Sequence, residues 1–188
     1  MKGLSDREIV DSVNKGNHSD YAILIDRYKN KAFSMLTRML KNKMEAEEVL
    51  QDSFLKAFNG LKDFKGESKF STWFYKIVYN SALSRLSVQK RKIETEMSSV
   101  EDHFDLKSDY DYHVTEQKDL SLYLKEIVSK LPSNYASVIS MFYLEGMTCE
   151  EISEVLETSV NNVKVMLHRS RTALRDIMIK SNYVEELL

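Results

Sequence analysis

One cysteine, one proline and five glycines in 188 residues leave the chain few cross-links and few sharp turns. Cys149 stands alone, which rules out an intrachain disulfide and a multi-cysteine zinc site. So little Gly and Pro also argues against an all-β fold, which needs frequent turns. No apolar run approaches the roughly 18–20 residues that cross a bilayer. The opening MKGLSDREIV lacks the apolar core of a signal peptide, so a cytoplasmic protein without membrane insertion is expected. Missing too are a Gly-rich phosphate loop, a carboxylate cluster and a Cys/His set at working spacing. No catalytic residue, metal or cofactor is therefore expected. His103 and His113 lie among carboxylates, but their spacing matches no ligand pattern and a solvated segment explains them better.

What is present is hydrophobic content of 43%, enough for real cores, and a net charge of −2 that hides strong segregation. Residues 1–92 are net +7, 93–119 net −7 and 120–188 net −2. A basic block, an acidic connector and a third block with one basic helix imply two modules on a linker. The boundaries expected are 1–92, 93–114 and 115–188, the middle stretch being flexible and self-repelling.

Both modules read as helices, giving an all-α class. Ser5 with Glu8 is a capping-box start for a helix to about Lys15, broken by Gly16-Asn17. Apolar periodicity then predicts helices from about Ser19 to Leu40, from Met44 to Leu61 and from Thr72 to Ser87. The cluster Gln89-Lys90-Arg91-Lys92 suits the end of the last. In the second module one helix runs from Leu120 to Leu131. Pro132 opens another, which stops near Gly146.

The stretch 148–175, TCEEISEVLETSVNNVKVMLHRSRTALR, carries most of the functional signal. Thr148 and Glu151 form a second capping box, Glu157-Thr158-Ser159 breaks the pattern, and Thr158 or Ser159 can cap the next helix. Val160, Val163, Leu167, Leu174 and Ile177 share one face of that helix. Lys164, His168, Arg171 and Arg175 share an adjoining one, with Arg169 near it. Residues 158–181 hold five Lys/Arg against one Asp, while 120–157 hold two against six acids. This is the helix-turn-helix layout, in which one helix braces and the next enters a DNA groove. An ordinary solvated amphipathic helix is the plainer reading; the charge asymmetry favours DNA.

In the first module, SKFSTWFYKIVYNSALSRL interleaves Phe70, Trp73, Phe74, Tyr75 and Tyr79 with Lys69, Lys76 and Arg85. Aromatic faces with cations suit single-stranded nucleic acid. Phe74, Ile77 and Val78 share a core face, but Phe70, Tyr75 and Tyr79 are not easily all buried at once. Upstream, Glu48, Gln51 and Asp52 flank an apolar face; a solvated surface and a protein-docking edge both fit.

These three segments, in this order, resemble the sigma-70 family of bacterial RNA polymerase sigma factors, in its small extracytoplasmic-function (ECF) branch. AEEVLQDSFLKAFNGLKDFKG is similar to the family's polymerase-binding helix. SKFSTWFYKIVYNSALSRL is similar to its −10-reading and melting segment. LPSNYASVISMFYLEGMTCEEISEVLETSVNNVKVMLHRSRTALR is similar to its −35-reading domain, a compact helix-turn-helix unit of three or four helices. The resemblance implies that Gln51, Asp52 and Phe54 meet core polymerase, with Phe54 partly packing. It implies that Lys69, Phe70, Ser71 and Thr72 receive a flipped −10 base, and that Tyr75, Lys76, Tyr79 and Asn80 line the strand. It implies that Asn161, Asn162, Lys164, Val165, His168 and Arg169 enter the −35 major groove, with Arg171 and Arg175 nearer phosphates. Three departures stand out: Val78-Tyr79-Asn80 where Ala-Arg-Asn is usual, Glu157 where a turn Gly is common, and Val165-Met166 in place of Ser-Arg.

The partners implied are core RNA polymerase, through its largest and second-largest subunits, promoter DNA in duplex and single-stranded form, and an anti-sigma factor. A chain of net charge −2 is poorly equipped to hold DNA alone, which agrees with a large partner supplying affinity. An autonomous helix-turn-helix regulator is the alternative. A nucleic-acid enzyme fits poorly, for want of a catalytic constellation.

Overall fold

Ser5 opens the first helix as its sequence predicts. Its Oγ accepts the Glu8 N–H at 3.3 Å, and a Glu8 carboxylate oxygen accepts the Ser5 N–H at 2.7 Å. This box starts α1 (Asp6–Asn14) and, with the Ser5 backbone bond as the main cause, holds the Glu8 carboxyl below its ordinary value. The computed structural model describes residues 4–97 and 126–180. The acidic stretch with His103 and His113, and the beginning of the helix expected from Leu120, lie outside them.

A 3₁₀ turn, His18–Asp20, leads into α2 (Tyr21–Leu40). Lys41 ends α2 in the left-handed region at φ 55°. Asn42 then caps α3 (Lys43–Gly60), its side-chain oxygen accepting the N–H groups of Met44 and Glu45 at 3.0 and 3.2 Å. After a second 3₁₀ turn, Leu61–Asp63, comes α4 (Phe70–Met97). α4 continues past Lys92, where the sequence had placed its end. Residues 93–97, IETEM, contain no Gly or Pro, so nothing local stops the helix.

Residues 126–129 form a helical turn, α5, before Pro132 caps α6 (Ser133–Ile139). α6 passes into a π-helical turn, Ser140–Leu144, closed by Glu145 N–H donating to Ser140 O at 3.1 Å. Gly146 takes φ 66°, and α7 (Cys149–Leu156) and α8 (Val160–Lys180) follow. Among the described residues there is no strand, in keeping with the all-α class.

α2 is the centre of the molecule, packing on α3, α4 and α6. Its buried stripe is Tyr21, Leu24, Ala32, Met35, Leu36, Met39 and Leu40, while Ile23 faces solvent. α4 is covered by α2 and α3 on one side and by α7 on another. The two modules therefore share one buried cluster. Val138, Met141, Met147, Ile152 and Val155 from the second module join Leu36, Phe70, Phe74, Tyr75 and Val78 from the first. A smaller core, Ile127, Leu131, Ala136 and Ile139, packs beneath Leu174 and Ile177 of α8.

Candidate nucleic-acid interface

α7 and α8 meet as the helix-turn-helix pattern requires. Thr148 Oγ1 accepts the Glu151 N–H at 3.2 Å, and Glu151 accepts the Thr148 N–H at 2.8 Å. Burial raises the Glu151 pKa, but hydrogen bonds from Lys69 and Thr148 outweigh it and leave the carboxyl below its ordinary value. α7 ends at Glu157, left-handed at φ 51°, ψ 46°. That is the conformation for which the turn's usual glycine is suited. Ser159 Oγ then accepts the Asn162 N–H at 3.2 Å, so Ser159 caps α8; Thr158 Oγ1 instead accepts Asn162 Nδ2 at 2.9 Å. Ile152 and Val155 of α7 are buried in one cluster with Val163 and Leu167 of α8.

That packing sets the opposite side of α8 free. Asn161, Asn162, Lys164, Val165, His168, Arg169, Arg171 and Arg175 are all exposed. They form a continuous face of amide, imidazole and guanidinium donors, with Val165 as the apolar member. Arg171 is steadied from behind: its Nε donates to Tyr143 Oη at 2.7 Å, and its guanidinium lies 5.9 and 5.6 Å from the Phe142 and Tyr143 ring centres.

The segment expected to read a −10 element is arranged differently from that expectation. Phe70, Thr72, Tyr75 and Tyr79 are all buried, Tyr75 to 1% exposure. Phe70 sits among Tyr28, Phe64, Trp73 and Phe74, with centroid distances from 5.5 to 6.1 Å. The expectation that these three rings are not easily all buried at once does not hold, because α4 is covered by α2 and α3 and also by α7. Burial, reinforced by the nearby Glu145 carboxylate, drives the Tyr75 hydroxyl well above its ordinary pKa. From this segment Lys69 and Asn80 remain exposed, and Ser71 and Lys76 half-exposed.

Beside them the structure reveals an open groove of about 430 Å³ that sequence patterning did not single out. Lys56, Gly60, Trp73, Ile77, Asn80, Ser81 and Ser84 line it, on facing sides of α3 and α4. Lys56 Nζ donates to Ser81 Oγ at 3.0 Å, and an added Cβ at Gly60 would stand 3.2 Å from the Trp73 ring. An indole wall, an amide and an ammonium in one groove are the components of a nucleobase and phosphate site. The signal available in sequence was the i, i+4, i+7, i+8 spacing of Trp73, Ile77, Asn80 and Ser81.

On α3, Gln51 and Asp52 are exposed, whereas Phe54 turns inward and is 8% exposed. Helical spacing puts Met44, Glu48, Asp52 and Leu55 on the same outer stripe. Met44 and Leu55 are 75% and 62% exposed, large apolar side chains that the sequence reading did not count.

Residues 24–92 match the family model "Sigma-70 region 2", and residues 121–174 match "Sigma-70, region 4". The chain is 32% identical over 180 residues to the ECF RNA polymerase sigma-E factor of Haemophilus influenzae, covering 92% of this chain and 95% of that one. The chain belongs to the ECF sigma factors. It is also 31% identical to the ECF sigma factor SigW of Bacillus subtilis, over 88% of this chain and 92% of that protein. Two solved structures share the sigma factor's fold. CnrH, in complex with the cytosolic domain of CnrY, superposes with TM-score 0.67 at 20% identity, covering 93% of this chain and 97% of that one. RpoE of Bartonella quintana, in complex with the anti-sigma factor NepR, superposes at 0.66 with 16% identity, covering 85% and 96%. No described helix of this sigma factor is long and apolar enough to cross a membrane.

Proposed function

We propose that this ECF sigma factor is a non-catalytic, cytoplasmic initiation subunit that directs core RNA polymerase to promoters with −10 and −35 elements. The observation that carries the reading is the exposed face of α8 from Asn161 to Arg175, held on a braced helix-turn-helix. Asn161, Asn162, Lys164, Val165, His168 and Arg169 contact base edges in the −35 major groove, and Arg171 and Arg175 the phosphates. Residues 1–92 and 115–188 serve as the two promoter-reading modules, and 93–114 as the tether between them.

Polymerase docks on the outer stripe of α3, on Gln51 and Asp52 flanked by Met44 and Leu55. The opened −10 strand lies along Lys69, Ser71, Lys76 and Asn80 and enters the groove at Trp73. Phe70, Thr72, Tyr75 and Tyr79 shape that surface from beneath. An anti-sigma factor is a further partner, as in the complex of the RpoE relative.

The test is run-off transcription with purified core polymerase on matched templates with and without a −35 element. Lys164→Ala and His168→Ala should lower initiation on the first template only. An equal loss on both removes the groove-reading assignment. Specific gel shift by the chain alone, without polymerase, would instead favour an autonomous regulator.

A further inference from the structure

Phe142 and Tyr143 are neighbours in the π turn, and both rings reach the same side chain of α8. Arg171 Nε donates to Tyr143 Oη at 2.7 Å, and its guanidinium lies against both ring faces. The turn makes this possible. It is closed by Glu145 N–H on Ser140 O and followed by Met147 N–H on Met141 O, so it holds one residue more than an α turn would. Phe142 packs against the core, while Tyr143, edge-on to it at 5.0 Å, stays 54% exposed. Three carboxylates of the second module are engaged elsewhere. Glu145 turns inward, its side chain 6% exposed, to Lys31 at 3.3 Å, and Glu151 and Glu157 pair with Lys69 and Lys76, each at 2.7 Å. Among the described residues, no carboxylate forms an ion pair with Arg171.

The Nε–H and the nearer Nη–H of a guanidinium point the same way, which lets it grip two acceptors side by side. Tyr143 Oη takes the first position, so an anion on the second lies beside that hydroxyl. Because Oη accepts from Arg171, its own hydrogen points away from the guanidinium, and it has no acceptor among the described residues. Arg171 also continues the α8 stripe of Lys164 and His168. At a rise of about 1.5 Å per residue it stands about 10 Å beyond Lys164. The major groove is about 12 Å wide, so a helix with Lys164 over the bases carries residue 171 out to a strand backbone. We propose that Tyr143 and Arg171 form one clamp for a single phosphate of the −35 duplex, the hydroxyl donating to one phosphate oxygen and a guanidinium Nη to its neighbour. Tyr143 thus joins the DNA-binding residues from an element outside the recognition helix. This inference rests on the −35 assignment made above. The π turn fixes the distance from that phosphate to α8, so the clamp sets how far along the groove the base-reading residues stand.

The test uses holoenzyme, the full chain with core polymerase, on a duplex carrying the −35 element of the promoter found by run-off transcription. Tyr143→Phe keeps the ring and its contact with the guanidinium and removes only the hydroxyl. It should lower affinity for this duplex roughly ten-fold. The melting temperature and the slope of log affinity on log salt should not change, because no charge is lost. Arg171→Ala should weaken binding further and reduce that slope by about one. The double variant should lose little more than Arg171→Ala alone, since the two groups act on one phosphate. Neutralising phosphates one at a time as methylphosphonates locates the contact: at one position the parent should lose affinity and Tyr143→Phe should match it. Equal affinities of Tyr143→Phe and the parent on the unmodified duplex overturn the clamp. So does a loss in Tyr143→Phe that persists whichever phosphate is neutralised, because the hydroxyl then acts through packing. Lys164→Ala tells the two failures apart. It still weakens binding to this duplex alone when only the clamp is wrong, and it loses as much on a duplex lacking the element when the −35 assignment is wrong.

Discussion

Phe54 stacks on Phe74 with centroids 4.7 Å apart and planes 28° apart, joining α3, the helix proposed to dock on polymerase, to α4, which carries the proposed −10 surface. Tyr21 reinforces the junction by donating its hydroxyl to Phe54 O at 2.7 Å. Position 54 is thus a packing residue that ties α3 to α4, while its neighbours Gln51 and Asp52 face outward.

Phe54→Ala should cost about 3–5 kcal/mol of stability, the usual loss for a buried aromatic. Asp52→Ala should change stability by less than about 0.5 kcal/mol yet weaken retention on core polymerase. Urea unfolding and co-elution with polymerase separate the two. A stable Phe54→Ala protein that merely loses polymerase would make Phe54 a contact residue.

Gly60→Ala should disturb Trp73, the chain's one tryptophan, because the new methyl stands 3.2 Å from its ring. The change exchanges a helix gain of up to about 1 kcal/mol against a crowded groove. Trp73 emission should shift, and binding of a −10 single strand should weaken more than binding of a −35 duplex. Unchanged emission would mean the indole is not confined there.

Glu157→Gly removes a side chain from a left-handed residue, a conformation that costs other L-residues roughly 1–2 kcal/mol. Allowing for glycine's own entropy, a net gain of about 0.5–1 kcal/mol is expected. Melting should be compared at about 1 M salt, where the lost Lys76 pair is screened. A lower melting temperature under those conditions would show that Glu157 contributes something other than its charge.

Glu151 sets a pH dependence. Its folded pKa is lowered from 4.5, so its contribution is fully present above about pH 4.5 and is lost as pH falls through the lowered folded value. Glu151→Gln should flatten the acid limb of a stability profile below that point and leave the neutral plateau's shape unaltered. Parallel acid limbs for parent and variant would assign the acid sensitivity to other carboxylates.

The caps were legible in the sequence because they are local. Ser5–Glu8 and Thr148–Glu151 each need only four consecutive residues, and both boxes form. The face of α8 was legible for the same reason, since helical spacing alone separates Lys164 and His168 from Val163 and Leu167. Phe70, Tyr75 and Tyr79 were not, because α4 is covered from more than one side, by α2, α3 and α7. On α2, Met35 and Met39 are buried while Ile23 faces solvent, because α2 is covered by several neighbours and one-face periodicity misjudges such a helix. The π turn at Ser140–Leu144 left no mark in the pattern of apolar residues, so the inward course of Glu145 could not be foreseen.

Among the described residues, the buried hydroxyl of Thr72 has no hydrogen-bond partner. Such an orphan costs about 1–3 kcal/mol, a penalty that water would relieve if the halves came apart. Exchanging that hydroxyl for a methyl, Thr72→Val, should therefore tighten the seam. One thirsty oxygen is left at the joint, a standing handicap on the closed packing.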